Sequence, residues 1–284
     1  IGIFTTGTSI GAAAGLSLGG WVGFTYGWRT AFLMIGLPGV LLALVIFLTL
    51  REPPRGFSDG RSDQVPQAGF MEVAKRLFAT RAFPGIAFSI GIASMSGFAL
   101  SHWMPSFMVR SFDLSIAEAG WRVALAAGGG GLAGGIVGGF ACDRLARFDR
   151  RWWCWAPAIA FFINIPLMIM LFQATTVEMA MVLTAAVLFM YHFWGGSGHA
   201  LVQSLVGVRM RATAAALFLM CISLIGQGLG PFVVGFLSDL LHAEQGGESL
   251  RYALMATTPV WLIAGLLWLV AATRLREELD SAPD

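Results

Sequence analysis

Eight apolar stretches constrain this chain more than any other feature, because each is long enough to cross a lipid bilayer. An α-helix of about 20 apolar residues spans the hydrocarbon core. The segments between the stretches are short and rich in Arg, Asp, Gly or Pro, except for a longer polar segment at residues 51–80. The sequence therefore predicts an all-α fold, a polytopic membrane bundle with eight transmembrane helices in this chain. These helices are expected at about residues 3–25, 31–50, 83–108, 120–142, 154–173, 179–202, 213–238 and 252–273.

Composition excludes the other classes of fold. The chain is 57% hydrophobic and 12% charged, whereas soluble domains carry about 25% charged residues. Eight apolar segments of this length cannot be hidden in the core of a soluble protein of 284 residues. A transmembrane β-barrel is excluded by the length of the segments and by their lack of alternating polarity. Lipid is therefore the expected solvent of most side chains.

The loops predict the orientation of the helices. Fourteen of the 18 Lys and Arg residues fall in loops on one side of the membrane, and such loops face the cytoplasm. Segment 51–80 and the C-terminus are therefore expected on the cytoplasmic side of a bacterial inner membrane. The 14 residues lie within the ranges 51–81, 144–151, 209–211 and 274–276.

The first two predicted helices resemble the last two. The pattern Ile-Gly-x3-Gly occurs at residues 10–15 and again at 225–230, and the helix after each begins near an arginine, Arg29 or Arg251. Both pairs cross the membrane in the same direction, as in transporters built from two parallel six-helix repeats. Chance similarity of glycine-rich helices is the alternative. The repeat predicts a twelve-helix protein in which four helices precede this chain, making it an N-terminally truncated fragment.

The repeat also divides the chain into three parts. Residues 1–50 are expected to be the last two helices of an N-terminal bundle. Residues 51–80 are expected to be a cytoplasmic linker with a short amphipathic helix at its end. Residues 81–284 are expected to be a six-helix C-terminal bundle with a cytoplasmic tail.

Glycines recur every four residues on several predicted helices, and so they form grooves. Small residues of this kind let helix backbones approach closely. The grooves indicate either static packing or smooth faces on which two bundles rock past each other. The series are Gly7, Gly11, Gly15 and Gly19; Gly130, Gly134 and Gly138; Gly131, Gly135 and Gly139; and Gly226 and Gly230 followed by Gly235.

A motif in the loop after the fourth helix connects the chain with a known family. Gly139, Asp143, Arg144 and Arg147 resemble the cytoplasmic signature of the major facilitator superfamily. In that family the Asp and Arg pin helix ends and bias the inward-open and outward-open states, and the resemblance implies this role here. The family's usual second glycine is replaced by Ala146, a departure from the pattern.

Within the superfamily the chain resembles the spinster-type transporters, a group associated with sphingolipids and lysolipids. The resemblance implies a secondary active transporter that moves an amphiphilic or organic-anion solute by alternating access and is coupled to protons. Multidrug efflux, sugar-acid symport and a non-transporting membrane receptor or scaffold remain alternatives. The matching stretches are GWRTAF at 27–32, GLPG at 36–39, REPPRG at 51–56, WMP at 103–105, DRLAR at 143–147, RMRA at 209–212, GLGP at 228–231, VGFLSD at 234–239 and SLRYA at 249–253.

Polar side chains inside membrane helices mark candidate sites, because burying them in lipid is costly. His192 and His199 are candidates for proton coupling, since imidazole titrates near neutral pH. Each could equally be a hydrogen-bonded structural residue. The candidates for substrate binding are His102, Trp103, Tyr191, Trp194, Ser197, Gln203 and Gln227.

The sequence contains no enzyme motif that would predict a reaction. It has no phosphate-binding glycine loop and no His and Glu spacing for zinc. No cofactor and no metal are therefore expected, and the basic loops have no pattern typical of nucleic-acid binding. The expected partners are a small-molecule or lipid-like substrate and membrane lipids, with the full-length protein a monomer.

Overall fold

The computed structural model describes residues 11, 14, 15, 18–50, 69–80, 82–207 and 210–280. Within these residues all regular structure is helical and no strand occurs. Most of the first predicted membrane helix, most of the linker and the last four residues lie outside the described part.

The helices have the following bounds. They are α1 Trp28–Thr49, α2 Phe70–Ala79, α3 Ala82–Phe112, α4 Ile116–Ala146, α5 Trp152–Phe172, α6 Val177–His192, α7 Gly195–Ser204, α8 Arg211–Cys221, α9 Gly230–Gln245, α10 Ser249–Met255 and α11 Pro259–Asp280. Residues Ile222–Leu229 form a π-helix between α8 and α9. Residues 18–26 are also helical, and Gly27, with a φ of 85°, separates them from α1.

Six helical segments among the described residues are long and apolar enough to cross a membrane. Four of them are α1, α3, α4 and α5, close to the predicted bounds. The fifth joins α6 to α7 at residues 177–204, and the sixth extends over 211–273. The sixth turns back at Gly246, whose φ of 53° suits glycine, so that α10 packs against α9. The sixth segment is therefore long enough to cross the membrane twice.

The helices from α3 to α11 pack around a common core. Helix α3 is central, since it contacts α4, α9, α11 and the π-helix. Helix α4 lies along α6, and α5 lies between α6 and α11. Fully buried aromatic side chains fill the centre, among them Phe83, Phe161, Phe218, Trp261 and Trp268.

A carboxylate from the end of the chain caps the start of this bundle. The side chain of Glu278 in α11 accepts a hydrogen bond from the backbone N–H of Ala82 at 3.0 Å. Thr80 caps the same helix end, because its hydroxyl oxygen lies 3.3 Å from the backbone nitrogen of Phe83. The first turn of α3 is thus held by side chains rather than left unsatisfied.

Helix α1 lies outside this core. Ala31 is its one buried residue, and Phe47 is 83% exposed. An apolar helix with this exposure has its surface free for lipid or for other membrane helices.

Helix α2 is amphipathic, as the sequence predicts, and it lies against the bundle. Val73 and Leu77 are fully buried, and α2 contacts α8 and the start of α3. Glu72, Lys75 and Arg76 are exposed. Helix α2 is therefore held against α8 and the start of α3.

The glycine grooves of α4 and of the π-helical region serve packing within the bundle. A Cβ atom added at Gly130, Gly134 or Gly138 would collide with a backbone carbonyl of the α6 segment. Gly226 and Gly230 lie equally close to α3. In these two glycine grooves, neighbouring helices of the same bundle therefore pack closely.

The remaining glycines of α4 have different surroundings. A Cβ atom at Gly131 would meet the ring of His192 at 3.2 Å, whereas at Gly135 or Gly139 it would meet no atom within 4 Å. The side of α4 towards which Cβ atoms of Gly135 and Gly139 would point is thus open among the described residues.

Candidate substrate and coupling site

The predicted site lies where a membrane helix is interrupted. Helix α6 ends at His192 and α7 begins at Gly195. The carbonyl of Trp194 accepts hydrogen bonds from the Gly198 N–H at 2.8 Å and from the Ser197 hydroxyl at 3.2 Å. Broken helices at membrane depth are tolerated where protein surrounds them, and in transporters they commonly form substrate sites.

Helix α4 holds this interruption in place. The Phe193 carbonyl lies directly against Gly138, and a Cβ on Gly196 would lie 3.1 Å from the Cα of Gly139. One turn further along, the Cys142 thiol lies beside the side chain of Ser197. The contacts of Gly138 and Gly139 require small residues, so the C-terminal end of α4 fits closely onto the α6–α7 interruption.

His192 is half-buried and has one ring nitrogen engaged. Its Nδ1 lies 2.9 Å from the backbone carbonyl of Leu188. Because a carbonyl only accepts, this bond requires a proton on Nδ1 and leaves Nε2 as the nitrogen able to exchange a proton in the neutral ring. The ring faces Gly131 and the ring of Tyr191, 4.8 Å away between centroids.

His199 lies on the other side of the interruption, in an aromatic cluster. Its ring centroid is 5.7 Å from that of Trp194 and 5.2 Å from that of Phe218. The side chain is half-buried. His192 and His199 thus have separate surroundings, one beside α4 and one beside α8.

Three of the predicted binding residues point into the bundle. Tyr191, Trp194 and Ser197 are 5%, 8% and 2% exposed. The Tyr191 hydroxyl donates a hydrogen bond to Ser94 at 3.0 Å, and its ring lies against Gly97. These side chains therefore support the interruption from the interior side.

The predicted residues outside the interruption are more exposed. His102 and Gln227 are exposed, and Gln203 is half-buried. Gln227 belongs to the π-helix, a form that is rare and often found at functional sites. Trp103 has a structural contact, since its indole N–H donates to the carbonyl of Pro231 at 2.9 Å.

The charged residues of the motif begin one turn beyond Gly139, and Asp143 and Arg144 lie in the last turn of α4 rather than in the predicted loop. Asp143, Arg144 and Arg147 are all exposed. In the turn after α4, Arg151 forms an ion pair with Asp149 at 3.1 Å. The charged part of the motif is thus accessible to a partner, while Gly139 contacts the α6–α7 interruption.

An apolar depression of about 380 Å³ lies between α4 and α6, close to His192. Phe189 and Met190 line it. Gly129, Gly130, Ala185 and Ala186 complete the lining. A depression with this lining suits the apolar part of a ligand. Among the described residues, no group of three or more His, Cys, Asp or Glu side chains is placed to bind a metal ion.

Two contacts here were not predicted from the sequence. Ser94 receives the Tyr191 hydroxyl, and Cys142 reaches Ser197. Cys142 follows Gly138 by four residues, so it continues the row that begins at Gly130. That spacing could have indicated that Cys142 faces α6 and α7. The sequence around Ser94 contains no comparable pattern that would predict its contact with Tyr191.

Comparison with known proteins identifies the family. The model of the Major Facilitator Superfamily matches residues 1–226. The chain belongs to the Major Facilitator Superfamily. The prediction made from the motif around Gly139 and Asp143 is therefore confirmed, and the chain is an integral membrane protein of this superfamily.

Individual members of the superfamily are similar to this chain. An MFS-type efflux pump of Mycolicibacterium smegmatis is 28% identical over 293 residues, which cover 99% of this chain and 65% of the relative. A probable galactarate/D-glucarate transporter, GudP of Bacillus subtilis, is 28% identical over 151 residues, covering 46% of this chain and 32% of the relative. The chain thus spans less than two thirds of the length of either relative.

The fold resembles that of a solved spinster-type transporter. The crystal structure of a bacterial homologue of the human lysosomal transporter Spinster matches with a TM-score of 0.79 and 24% identity. The match covers 98% of this superfamily member and 71% of the other chain. The predicted likeness to spinster-type proteins is therefore confirmed as a likeness of fold.

Proposed function

We propose that this protein acts as a secondary active transporter that moves an amphiphilic or organic-anion solute by alternating access, coupled to protons. The observation that carries the proposal is the α6–α7 interruption, which has a half-buried imidazole on each side and rests on the inner end of α4. Membership of the superfamily supports the same conclusion, since its relatives include an efflux pump and a sugar-acid transporter.

The proposed coupling uses His192 as the residue that binds and releases a proton. Its Nδ1 is held by the Leu188 carbonyl, so a proton on Nε2 makes the ring a cation. A cation at membrane depth is stabilised by an anionic substrate group and disfavoured without one. Proton binding and substrate binding would then favour each other, which is the requirement for symport.

The proposed substrate site combines the exposed and half-buried polar residues. His192, His199 and Gln203 would contact the polar part of the substrate, with His102 and Gln227 further towards α3 and the π-helix. The apolar depression beside Phe189 would receive an acyl or aromatic group. Tyr191, Trp194 and Ser197 would support these side chains, and Trp103 would fix α3 to α9.

The proposed link between this site and the conformational change is α4. Gly138, Gly139 and Cys142 contact the α6–α7 interruption, and Asp143 follows in the same helix. A movement of the interruption would displace the last turn of α4, which carries Asp143 and Arg144 and which the resemblance associates with switching between states. Ligands shift such an equilibrium only through different affinities for the two states.

We also propose the arrangement of the protein in the membrane. Residues 81–284 would form one bundle and residues 1–50 part of another, joined by the linker at 51–80. The C-terminus and the linker would face the cytoplasm, in a bacterial inner membrane, with the full-length protein a monomer. The charge of the loops supports this orientation.

The test is transport by the protein reconstituted in vesicles with and without a pH gradient. Three probes would be compared: a labelled lysophospholipid, an amphiphilic dye and a sugar acid. Uptake or efflux of one probe that disappears when the gradient is collapsed is the expected result, and the probe identifies the substrate class. His192→Gln should abolish the gradient dependence, whereas Gln173→Ala, at an exposed position after α5, should not. Binding without flux in every condition would instead indicate a receptor.

A further inference from the structure

The bundle contains a second group of buried polar side chains, in α5 and around the turn that joins α10 to α11; one of them, Trp261, lies 5.8 Å from Tyr191 of α6 between ring centroids. Asn164 lies in α5 and is fully buried. Neither its amide nitrogen nor its amide oxygen has a hydrogen-bond partner among the described residues. A buried amide without partners in the middle of a membrane helix is unusual, because buried polar groups are nearly always hydrogen-bonded.

The facing segment carries two more polar groups of the same kind. The hydroxyl of Thr258, 7% exposed, and the indole N–H of Trp261, fully buried, also lack partners in the described structure. By contrast, Thr257 is bonded to the hydroxyl of Ser96 at 2.9 Å. Of the two threonine hydroxyls in this turn, that of Thr258 is therefore the one without a partner among the described residues.

Packing places these groups at one level of the bundle. The ring of Phe161 contacts that of Trp261, with 5.4 Å between centroids. Helices α5 and α11 are adjacent, and they cross the membrane in opposite directions. Asn164 is one turn beyond Phe161, and Thr258 is one turn before Trp261. The antiparallel register therefore brings Asn164 opposite Thr258.

The last membrane crossing is interrupted at the same level. Between α10 and α11 the backbone bonds connect residues three apart, from Thr257 N–H to the Leu254 carbonyl and from Thr258 N–H to the Met255 carbonyl. Pro259 follows and has no N–H to donate. Non-helical backbone within a membrane is tolerated where protein or water surrounds it.

We propose that a buried water-binding site lies here, held by the Asn164 amide, the Thr258 hydroxyl and the Trp261 indole N–H. The amide and the indole supply N–H donors, the amide oxygen is an acceptor, and the hydroxyl is either. A water molecule offers two donors and two acceptors, and buried waters typically have two to four such partners. The set is therefore complementary to water rather than to an ion, since it contains no charged group.

The test is X-ray radiolytic footprinting of the protein in nanodiscs, in which a bound water converts to hydroxyl radical and labels the nearest side chains. Phe161 and Trp261 should be labelled although both are fully buried. Phe83 is the control, because it is equally buried and lies at the inner end of α3. The labels on Phe161 and Trp261 should fall to the level of Phe83 in Thr258→Val and in Asn164→Leu.

Two results would overturn the proposal. One is wild-type protein in which Phe161 and Trp261 are as unlabelled as Phe83. The other is labelling that persists unchanged in both variants, which would place the water against other groups. If Asn164→Leu does not fold, the wild-type measurement and the nearly isosteric variant Thr258→Val still test the proposal.

Discussion

The Cα atom of Gly139 lies 3.1 Å from the point that a Cβ on Gly196 would occupy. This contact joins α4, which carries the cytoplasmic motif, to α7, which begins at the interruption. A Cβ on Gly196 would be closer to α4 than an ordinary van der Waals contact allows, so a larger side chain at this position should push the two helices apart.

The first prediction concerns this contact. Gly196→Val should push α7 away from α4 and destabilise the protein by about 1–3 kcal/mol, the usual effect of overpacking. Transport per folded molecule should fall as well. Thermal unfolding in detergent and vesicle flux measure the two effects. Gly195→Val is the matched control, because a Cβ at Gly195 meets no atom within 4 Å. Equal behaviour of the two variants would contradict a role for this contact.

The second prediction distinguishes the two faces of α4. Gly134→Ala places a Cβ against the Phe189 carbonyl, so it should lower the thermal unfolding temperature. Gly135→Leu adds a larger side chain where no atom lies within 4 Å, so it should leave that temperature unchanged. If the open face slides during alternating access, Gly135→Leu should still block flux while retaining substrate binding. Normal flux in Gly135→Leu would refute sliding at this face.

The third prediction separates support from contact with substrate. Tyr191→Phe removes the hydroxyl that donates to Ser94, and the loss of one buried hydrogen bond should cost about 0.5–1.5 kcal/mol. Flux per folded molecule should be retained, because the ring remains. A fluorescence-based thermal scan and vesicle flux are the measurements. Ser94→Ala should produce a similar loss of stability, and a large loss of flux in Tyr191→Phe would place the hydroxyl in the substrate site.

The fourth prediction concerns the attachment of α2. Leu77→Ala removes a fully buried side chain and should weaken docking of α2 on α8 by about 2–5 kcal/mol. Trypsin should then cleave more rapidly after Lys75 and Arg76, which are exposed but lie within a helix. The cleavage rate, read by gel or mass spectrometry, is the measurement. Met71→Ala, at a side chain that is 63% exposed, should leave it unchanged.

Much of the fold could be predicted because hydropathy is a local property of sequence. The spans of α3, α4 and α5 follow from runs of apolar residues, and Ser115 and Glu118 form the capping box that their spacing indicates. The direction in which a side chain points from its helix could not be predicted in this way. Gly134 and Gly135 look alike in sequence, but the first touches a carbonyl and the second is open.

The site could be predicted only in part, because the direction in which a side chain points depends on tertiary packing. Gly195 and Gly196 follow His192 closely in sequence, and the interruption lies there. That Tyr191 points to Ser94 depends on how α6 packs against α3, across 97 residues of sequence. The cap from Glu278 to Ala82 spans 196 residues. Hydrogen bonds between such distant residues depend on tertiary packing, and the sequence of either segment alone does not predict them.

The π-helix has a consequence for comparing relatives of different length. Residues spaced by four drift round an ideal α-helix by about 40° per step, because a turn contains 3.6 residues. The wider turns of Ile222–Leu229 hold more residues and counter that drift, so one face stays buried through the whole crossing. A relative lacking one residue here can wind as an ordinary helix with its two ends still facing the same way. Single-residue alignment gaps should therefore concentrate in this segment. The buried row is Ala214, Phe218, Ile222, Gly226, Gly230, Val234 and Ser238.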